Sequence, residues 1–389
     1  MTRHLIFLIL LGASLSATAD SPYRPVIASV IEHNYDLASQ TASMAAEEAN
    51  AQADNMLDGP EVEFEHLWAS SSSDKKWNVG ITQEFSFPGL YNARSKAAEA
   101  KANASRLILL SMKADKALAA KQLILDIINA NERLTFYTDV SANLRRISAM
   151  TQRSFDIGEA TILDLRKMQL AETDNDRTIA EIRADITGLQ AQLKGLGAEI
   201  PENTETWNAY PAQLCEPAGQ ETDGLLLAIN EAQVSANSAL AKAVRMEAWP
   251  SLAVGYRHAF EENQHFNGLS VALRLPSFSQ KKRRKAAALE AEALDFATRS
   301  TMISQTSENQ GLYNTACQLS GIMERYRDLS SDNSYLQLLT KAYDGGELNI
   351  IDYLNEINLF SSARLAYLDL QYRYNLTLAR LNRYRSLDF

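Results

Sequence analysis

The side chains of this sequence that could do chemistry are few, and they do not converge on a reaction. Beyond His4, the histidines are His33, His66, His258 and His265, scattered without metal-ligand spacing. His258 and His265 flank an expected loop and read as solvated loop or interface residues. Cys215 and Cys317 are too few for a disulfide framework in an exported chain, and their separation leaves open whether they pair. No Gly-rich phosphate loop, Gly-x-Ser-x-Gly, His-Glu-x-x-His or Cys-x-x-Cys occurs, so no catalytic residue, metal set or cofactor is expected, nor an enzyme. A net charge of -10 leaves no surplus of Lys and Arg to displace counterions from phosphates, which argues against a nucleic-acid partner.

What remains is a pair of aspartates at matching places in a repeated stretch. A shift of 188 residues, from Phe155 to Tyr343, lays Phe155-Asp-Ile-Gly158-Glu159-Ala-Thr-Ile162-Leu-Asp164 on Tyr343-Asp-Gly-Gly346-Glu347-Leu-Asn-Ile350-Ile-Asp352. The same shift lays Pro88 on Pro276. Two landmarks at one offset indicate a duplicated unit. The expected division is a first repeat over 20–196, a linker over 197–224 with Pro201, Pro211 and Pro217, and a second repeat over 225–389. Taken locally, Asp164 and Asp352 are acidic residues near helix N-termini, where negative charge is favoured.

The elements that must position these residues run in one order in each unit. A helix from about Tyr23 to Met56 stops at Gly59-Pro60, two short segments follow, and a breaker-free run extends from about Tyr91 to Asp156. At 1.5 Å per residue that run is a rod on the order of 100 Å, too long to be the core of a globule. A turn at Gly158 leads into a return helix from about Ile162 to Leu196. The second unit repeats this with a helix before Trp249-Pro250, a long helix from about Gln280 to Ala342, a turn at Gly345-Gly346 and a return helix to about Tyr384.

The short segments alternate with a period of two. Val62, Phe64 and Trp68 oppose Glu61, Glu63 and Glu65, and Trp77, Val79, Ile81, Phe85 and Phe87 oppose Asn78, Thr82, Glu84 and Ser86. In the second unit Leu252, Val254, Tyr256 and Phe260 oppose Arg257, and Leu269, Val271, Leu273 and Leu275 oppose Ser270 and Arg274. A soluble sheet with one wet face shows the same pattern. Four strands are too few to enclose anything wide, however, and charges of both signs on the polar face need water. Several chains giving four strands each would close a barrel without edges, with Glu61, Glu63, Glu65, Glu84, Arg257 and Arg274 in its lumen. The N-terminus fits a leader over 1–19: Arg3 and His4, an apolar run from Leu5 to Leu11, and Ala17-Thr18-Ala19. That run is too short to span a bilayer as a helix.

This ordering resembles the TolC family of outer-membrane efflux proteins. Gln83-Glu-Phe-Ser-Phe-Pro88-Gly89 and Leu275-Pro276 before the long helices, and the aromatic-x-x-Gly-Glu turn followed by Ile-x-Asp, carry the resemblance. It implies an α+β membrane protein: a homotrimer with a 12-stranded outer-membrane β-barrel, continued by a periplasmic α-helical barrel. It further implies outer-membrane lipid, a periplasmic adaptor and an inner-membrane pump as partners, and a passive exit duct for small molecules or metal ions. By the same resemblance Asp352 forms an acidic ring at the aperture, while Asp164 and Tyr343 make closing contacts between helix pairs. Leu348 stands where the family has a locking arginine, and Asn355 where a second Asp would deepen the ring, which weakens the expected gate. The Gln83–Gly89 stretch followed by Arg94 is most similar to outer components serving cobalt-zinc-cadmium pumps. A soluble periplasmic coiled-coil scaffold is the competing expectation. The basic run Lys281–Lys285 opens a helix, where its charge is disfavoured, and reads either as a solvated face or as a contact for anionic headgroups or an adaptor.

Overall fold

The computed structural model describes residues 23–68, 75–211, 213, 215–216, 220–261, 264–275, 279–330 and 334–384. The expected leader and Pro276 lie outside the described residues. In chain order the elements are α1 (Arg24–His33), α2 (Tyr35–Ala53), β1 (Glu61–Trp68), β2 (Lys75–Phe85), α3 (Pro88–Asp156), α4 (Ile162–Gly195), α5 (Gln220–Met246), β3 (Ser251–Glu261), β4 (Gln264–Arg274), α6 (Gln280–Ser330), α7 (Ser334–Asp344) and α8 (Ile350–Leu381).

The first helical stretch differs from the single helix expected, because Asn34 leaves helical geometry at ψ 117° and starts a new helix. Its side-chain oxygen accepts from the Asp36 and Leu37 amides at 3.1 and 3.2 Å, and its Nδ2 donates to the Leu196 carbonyl at 2.9 Å. One residue thus caps α2 and ties it to the end of α4. Further along, α3 starts with Pro88 in its first turn, where the missing N–H costs nothing, and continues for 69 residues, a rod of ~100 Å. Ala117, Ala120, Ile124, Ile128 and Asn131 recur at helical spacing as a buried seam, and α3 packs on α4, α5 and α8. In the second unit the matching span, 280–344, is carried by α6 and α7; residues 331–333 between them are not described.

The two units end their outbound helices identically. Helix α3 stops at Asp156 and α7 at Asp344, while α4 starts at Ile162 and α8 at Ile350, all at the offset read from the sequence. Gly158 and Gly346 take φ of 81° and 76°, the left-handed turn that only glycine adopts without strain. Glu159 N and Glu347 N then bond back to the carbonyls of Ser154 and Ala342 at 2.8 and 2.9 Å, closing both helix ends in the same way.

The four strands form one antiparallel sheet in the order β1-β2-β3-β4, so the hairpins of the two units are joined by β2 against β3. Within the chain β1 and β4 each keep one edge open. Two larger apolar cores among the described residues stabilise the helical body. One unites Tyr23, Val26 and Val30 of the first turns with Ile124, Leu125 and Ile128 of α3, Leu193 and Trp207. The other lies near the helix turns and contains Phe136, Leu144, Ile147, Met168, Leu336, Tyr353, Ile357 and Phe360. The stretch 197–224 contains the start of α5, and its coil is packed: Tyr23 meets the Trp207 ring edge-on at 5.4 Å and donates its hydroxyl to Ala209 O at 2.7 Å. Buried Asn131 holds the same coil by donating to the carbonyls of Thr204 and Trp207 at 2.8 and 2.9 Å.

Candidate functional site

The pairing register sorts the strand residues onto two faces. Val62 stands opposite Ile81, Ile81 opposite Tyr256, and Tyr256 opposite Leu269; Val254 stands opposite Val271 and Leu252 opposite Leu273. This face is apolar yet bare: Val62 is 69%, Phe64 68% and Leu269 83% exposed in the single chain. Toward the β1–β2 and β3–β4 turns it becomes aromatic and polar. There Trp77 stacks on Phe260 at 5.8 Å, and His258 Nδ1 lies 2.7 Å from Asn267 Oδ1.

The opposite face carries the charges expected for a wet interior, and contacts between strands, two of them reaching over an intervening strand, pair most of them. Arg257 of β3 meets Glu63 of β1 at 3.0 Å across Gly80. Arg274 of β4 meets Glu84 of β2 at 2.7 Å, and Ser251 Oγ donates to the same carboxylate at 2.6 Å. Asn78 donates to Glu65 at 2.7 Å. Glu61 stands opposite Thr82 on the same face. Sequence reasoning missed Lys76 and Glu261, which pair at 2.8 Å on this face. The period of two places both there, but that they meet follows only from the β2–β3 register.

At the joint between sheet and helices, the Gln83–Gly89 stretch builds a corner. Gln83 donates to Asp58 O at 2.7 Å, Phe87 stacks on Trp249 of the second unit at 4.8 Å, and Arg94 bridges Glu247 at 3.1 Å while donating to Asp54 O. These contacts clamp the first unit to the second where both strands become helices.

At the far tip, each aspartate is the third residue of a return helix and bonds with that helix's N-cap residue. Asp164 Oδ2 accepts from Thr161 N at 3.1 Å and Thr161 Oγ1 at 2.6 Å, while Thr161 Oγ1 accepts from Asp164 N, a complete capping box. The Thr161 hydroxyl and amide hold the Asp164 carboxyl below the usual carboxylate range. Asp352 accepts from Asn349 Nδ2 at 2.6 Å, and its own amide donates to Asn349 Oδ1 at 2.9 Å. Capping uses one carboxylate oxygen in each case and leaves Asp352 exposed. Asn355 is exposed one turn further along α8, whereas Leu348 is half-buried against the tip core. Tyr343 packs within the chain, its ring 5.2 Å from the buried Tyr353. The two units are also joined by an ion pair that the sequence did not reveal, Arg146 of α3 with Asp344 of α7 at 2.9 Å.

Midway along the body, Glu132 of α3 lies beside Tyr210 of the coil and Arg364 of α8. Burial pushes its carboxyl up to about 7, with Arg364 and Tyr210 pulling the other way. Among the described residues no group of three or more His, Cys, Asp or Glu could hold a metal ion, and no helix is long and apolar enough to cross a membrane.

Residues 26–197 match the family model described as Outer membrane efflux protein. Among curated proteins none matches in sequence. Solved structures share the fold along nearly the whole chain. A membrane protein from Pseudomonas aeruginosa is 17% identical with a TM-score of 0.77, covering 94% of this chain and 93% of its own. CusC, whose structures concern folding and transmembrane channel formation, is 15% identical with a TM-score of 0.77, covering 94% and 92%. The Campylobacter jejuni CmeC outer membrane channel is 15% identical with a TM-score of 0.75, covering 92% and 84%.

Proposed function

We propose that this chain, a TolC-like member of the outer membrane efflux protein family, is one of three protomers of a passive exit duct. The observation that carries the reading is the sheet: four antiparallel strands with both edges open, one face apolar and bare, the other charged and internally paired. Backbone groups at an open edge cannot stay unpaired in hydrocarbon, and an apolar face of this extent is unstable in water. Three copies pairing β4 of one chain with β1 of the next remove both difficulties. They give a twelve-stranded barrel whose paired charges line water, and the helices continue it as a tunnel about 100 Å long.

In this reading the turns at Gly158 and Gly346 face the periplasm and dock an adaptor, through which an inner-membrane pump loads the duct. Three copies of Asp352 meet at the aperture and make it acidic, with Asn355 beside them. Asp164 and Tyr343 contribute closing contacts there, and Leu348 packs behind them. The duct selects by charge and width and does no covalent chemistry, so the pump chooses among small molecules and metal ions. The test is fractionation followed by planar-bilayer recording. The protein should require detergent for extraction from the outer membrane, and the purified protein should insert and conduct ions. Release into the periplasmic fraction without detergent would instead favour the soluble coiled-coil scaffold.

A further inference from the structure

The fold brings together the only two cysteines of the sequence, Cys215 in the coil before α5 and Cys317 in the C-terminal half of α6. Cys215 is seated against Ala316, Leu378 and Leu381, with Tyr313 and Tyr374 beside it. Cys317 follows Ala316 directly, and the two thiols lie close enough to act on each other, with Tyr313 acting on Cys317 and Tyr374 on Cys215. Two residues before Cys215, Gln213 donates to the Asn375 carbonyl of α8 at 3.3 Å, which fixes the coil in place. Cys317 is exposed and Cys215 half-buried, so a reagent reaches one sulfur while the other waits behind it.

We propose that Cys215 and Cys317 form an intrachain disulfide that staples the coil between the repeats to α6. The inference rests on export of the chain to an oxidising compartment. The oxidant is a disulfide of that compartment, from a protein dithiol oxidase or a small molecule. The Cys317 thiolate attacks one sulfur of that disulfide, breaking its S–S bond and releasing one thiolate. The Cys215 thiolate then attacks Cys317 Sγ in the mixed disulfide, forming the new S–S bond and releasing the second thiolate. The two protons lost by the cysteines go to the two released thiolates, and the oxidant's disulfide takes up the two electrons. Burial raises the Cys215 thiol and slows the second step, but the neighbouring sulfurs make that step intramolecular. The closed loop spans α5, β3, β4 and most of α6, so the bond ties the second unit's outbound helix to the coil that enters that unit.

The test is thiol counting in the full-length protein. Outer-membrane fractions are quenched in acid, denatured, and labelled with a polyethylene-glycol maleimide before and after reduction. The expected result is no label before reduction, two per chain after it, and one per chain in Cys317→Ser or Cys215→Ser without reductant. Two labelled thiols per chain in protein that has reached the outer membrane would overturn the disulfide and leave the duct reading standing, as would a disulfide-linked dimer on a non-reducing gel. Absence of the protein from that fraction would count against the duct. Purified protein equilibrated in an oxidising glutathione buffer then decides the disulfide alone, two free thiols overturning it.

Discussion

Asp164 and Asp352 were legible in the sequence as a matched pair, because a motif that occurs twice at one offset marks itself. Their local work was legible too: Thr161 and Asn349 stand three residues ahead of them, the spacing of an N-cap and its partner. The proposed pore role asks more of Asp352, namely that three exposed carboxylates converge and focus a negative field in a constriction. Asp352→Asn keeps the amide that caps through Asn349 and removes the charge. It should lower cation preference in single-channel recordings and weaken block by multivalent cations, whereas unchanged selectivity and block would leave Asp352 as a helix cap alone. Glu132 was not legible, since nothing in its neighbours in sequence foretells Tyr210 and Arg364. Its folded value of about 7, against an ordinary 4.5, means the native state holds a proton that the unfolded chain releases between those values. The stability this adds is fully present below about pH 4.5 and is lost as pH rises through about 7, a swing on the order of 3 kcal/mol. Glu132→Gln should therefore flatten the pH dependence of thermal unfolding between 4.5 and about 7 and raise the midpoint at the upper end. A variant that follows the parent's pH curve would place the titrating group elsewhere.

Among the elements, the strands were readable because a period of two needs no partner to be seen. The register was not, and with it the pairings Arg257–Glu63, Arg274–Glu84 and Lys76–Glu261 that tie the polar face together. The split between α1 and α2 was hidden for a related reason. Asn34 sits in a run of helix formers and breaks it by binding Leu196 O, a partner 162 positions away. The sheet makes a two-sided prediction. Val62→Arg or Val254→Arg on the apolar face should cost about 2–4 kcal/mol of barrel stability near mid-bilayer. Glu61→Arg on the polar face should be tolerated; it is a better control than Glu63, whose replacement would set two cations against each other at Arg257. Denaturant unfolding in detergent or lipid checks both, and equal costs on the two faces would mean the faces are assigned wrongly. At the tip, Arg146–Asp344 ties the outbound helices of the two units, and an exposed pair of this kind stabilises the fold by no more than about 1 kcal/mol. Arg146→Ala should leave thermal unfolding nearly unchanged while raising resting conductance in planar bilayers. A resting conductance equal to the parent's would exclude this pair from the closed tip.

At the scale of the whole molecule, one chain carries two like units and yet closes no ring of its own. Two hairpins joined through β2 and β3 make one four-stranded sheet with both edges open, and α3 with α4 and α6 with α8 pack as two helical pairs. The four bare strand faces are therefore a statement about assembly. Sequence alternation announced strands that need company; in the proposed assembly that company attaches at the open edges of β1 and β4, and the family resemblance supplied the number three. The mass of the detergent-solubilised particle, read by native mass spectrometry after release from the micelle, tests this most directly. The account predicts a single species of three mature chains that persists when the protein is diluted. A monodisperse monomer that retains its strand signal in circular dichroism would contradict it, because a four-stranded sheet would then be stable with both edges open.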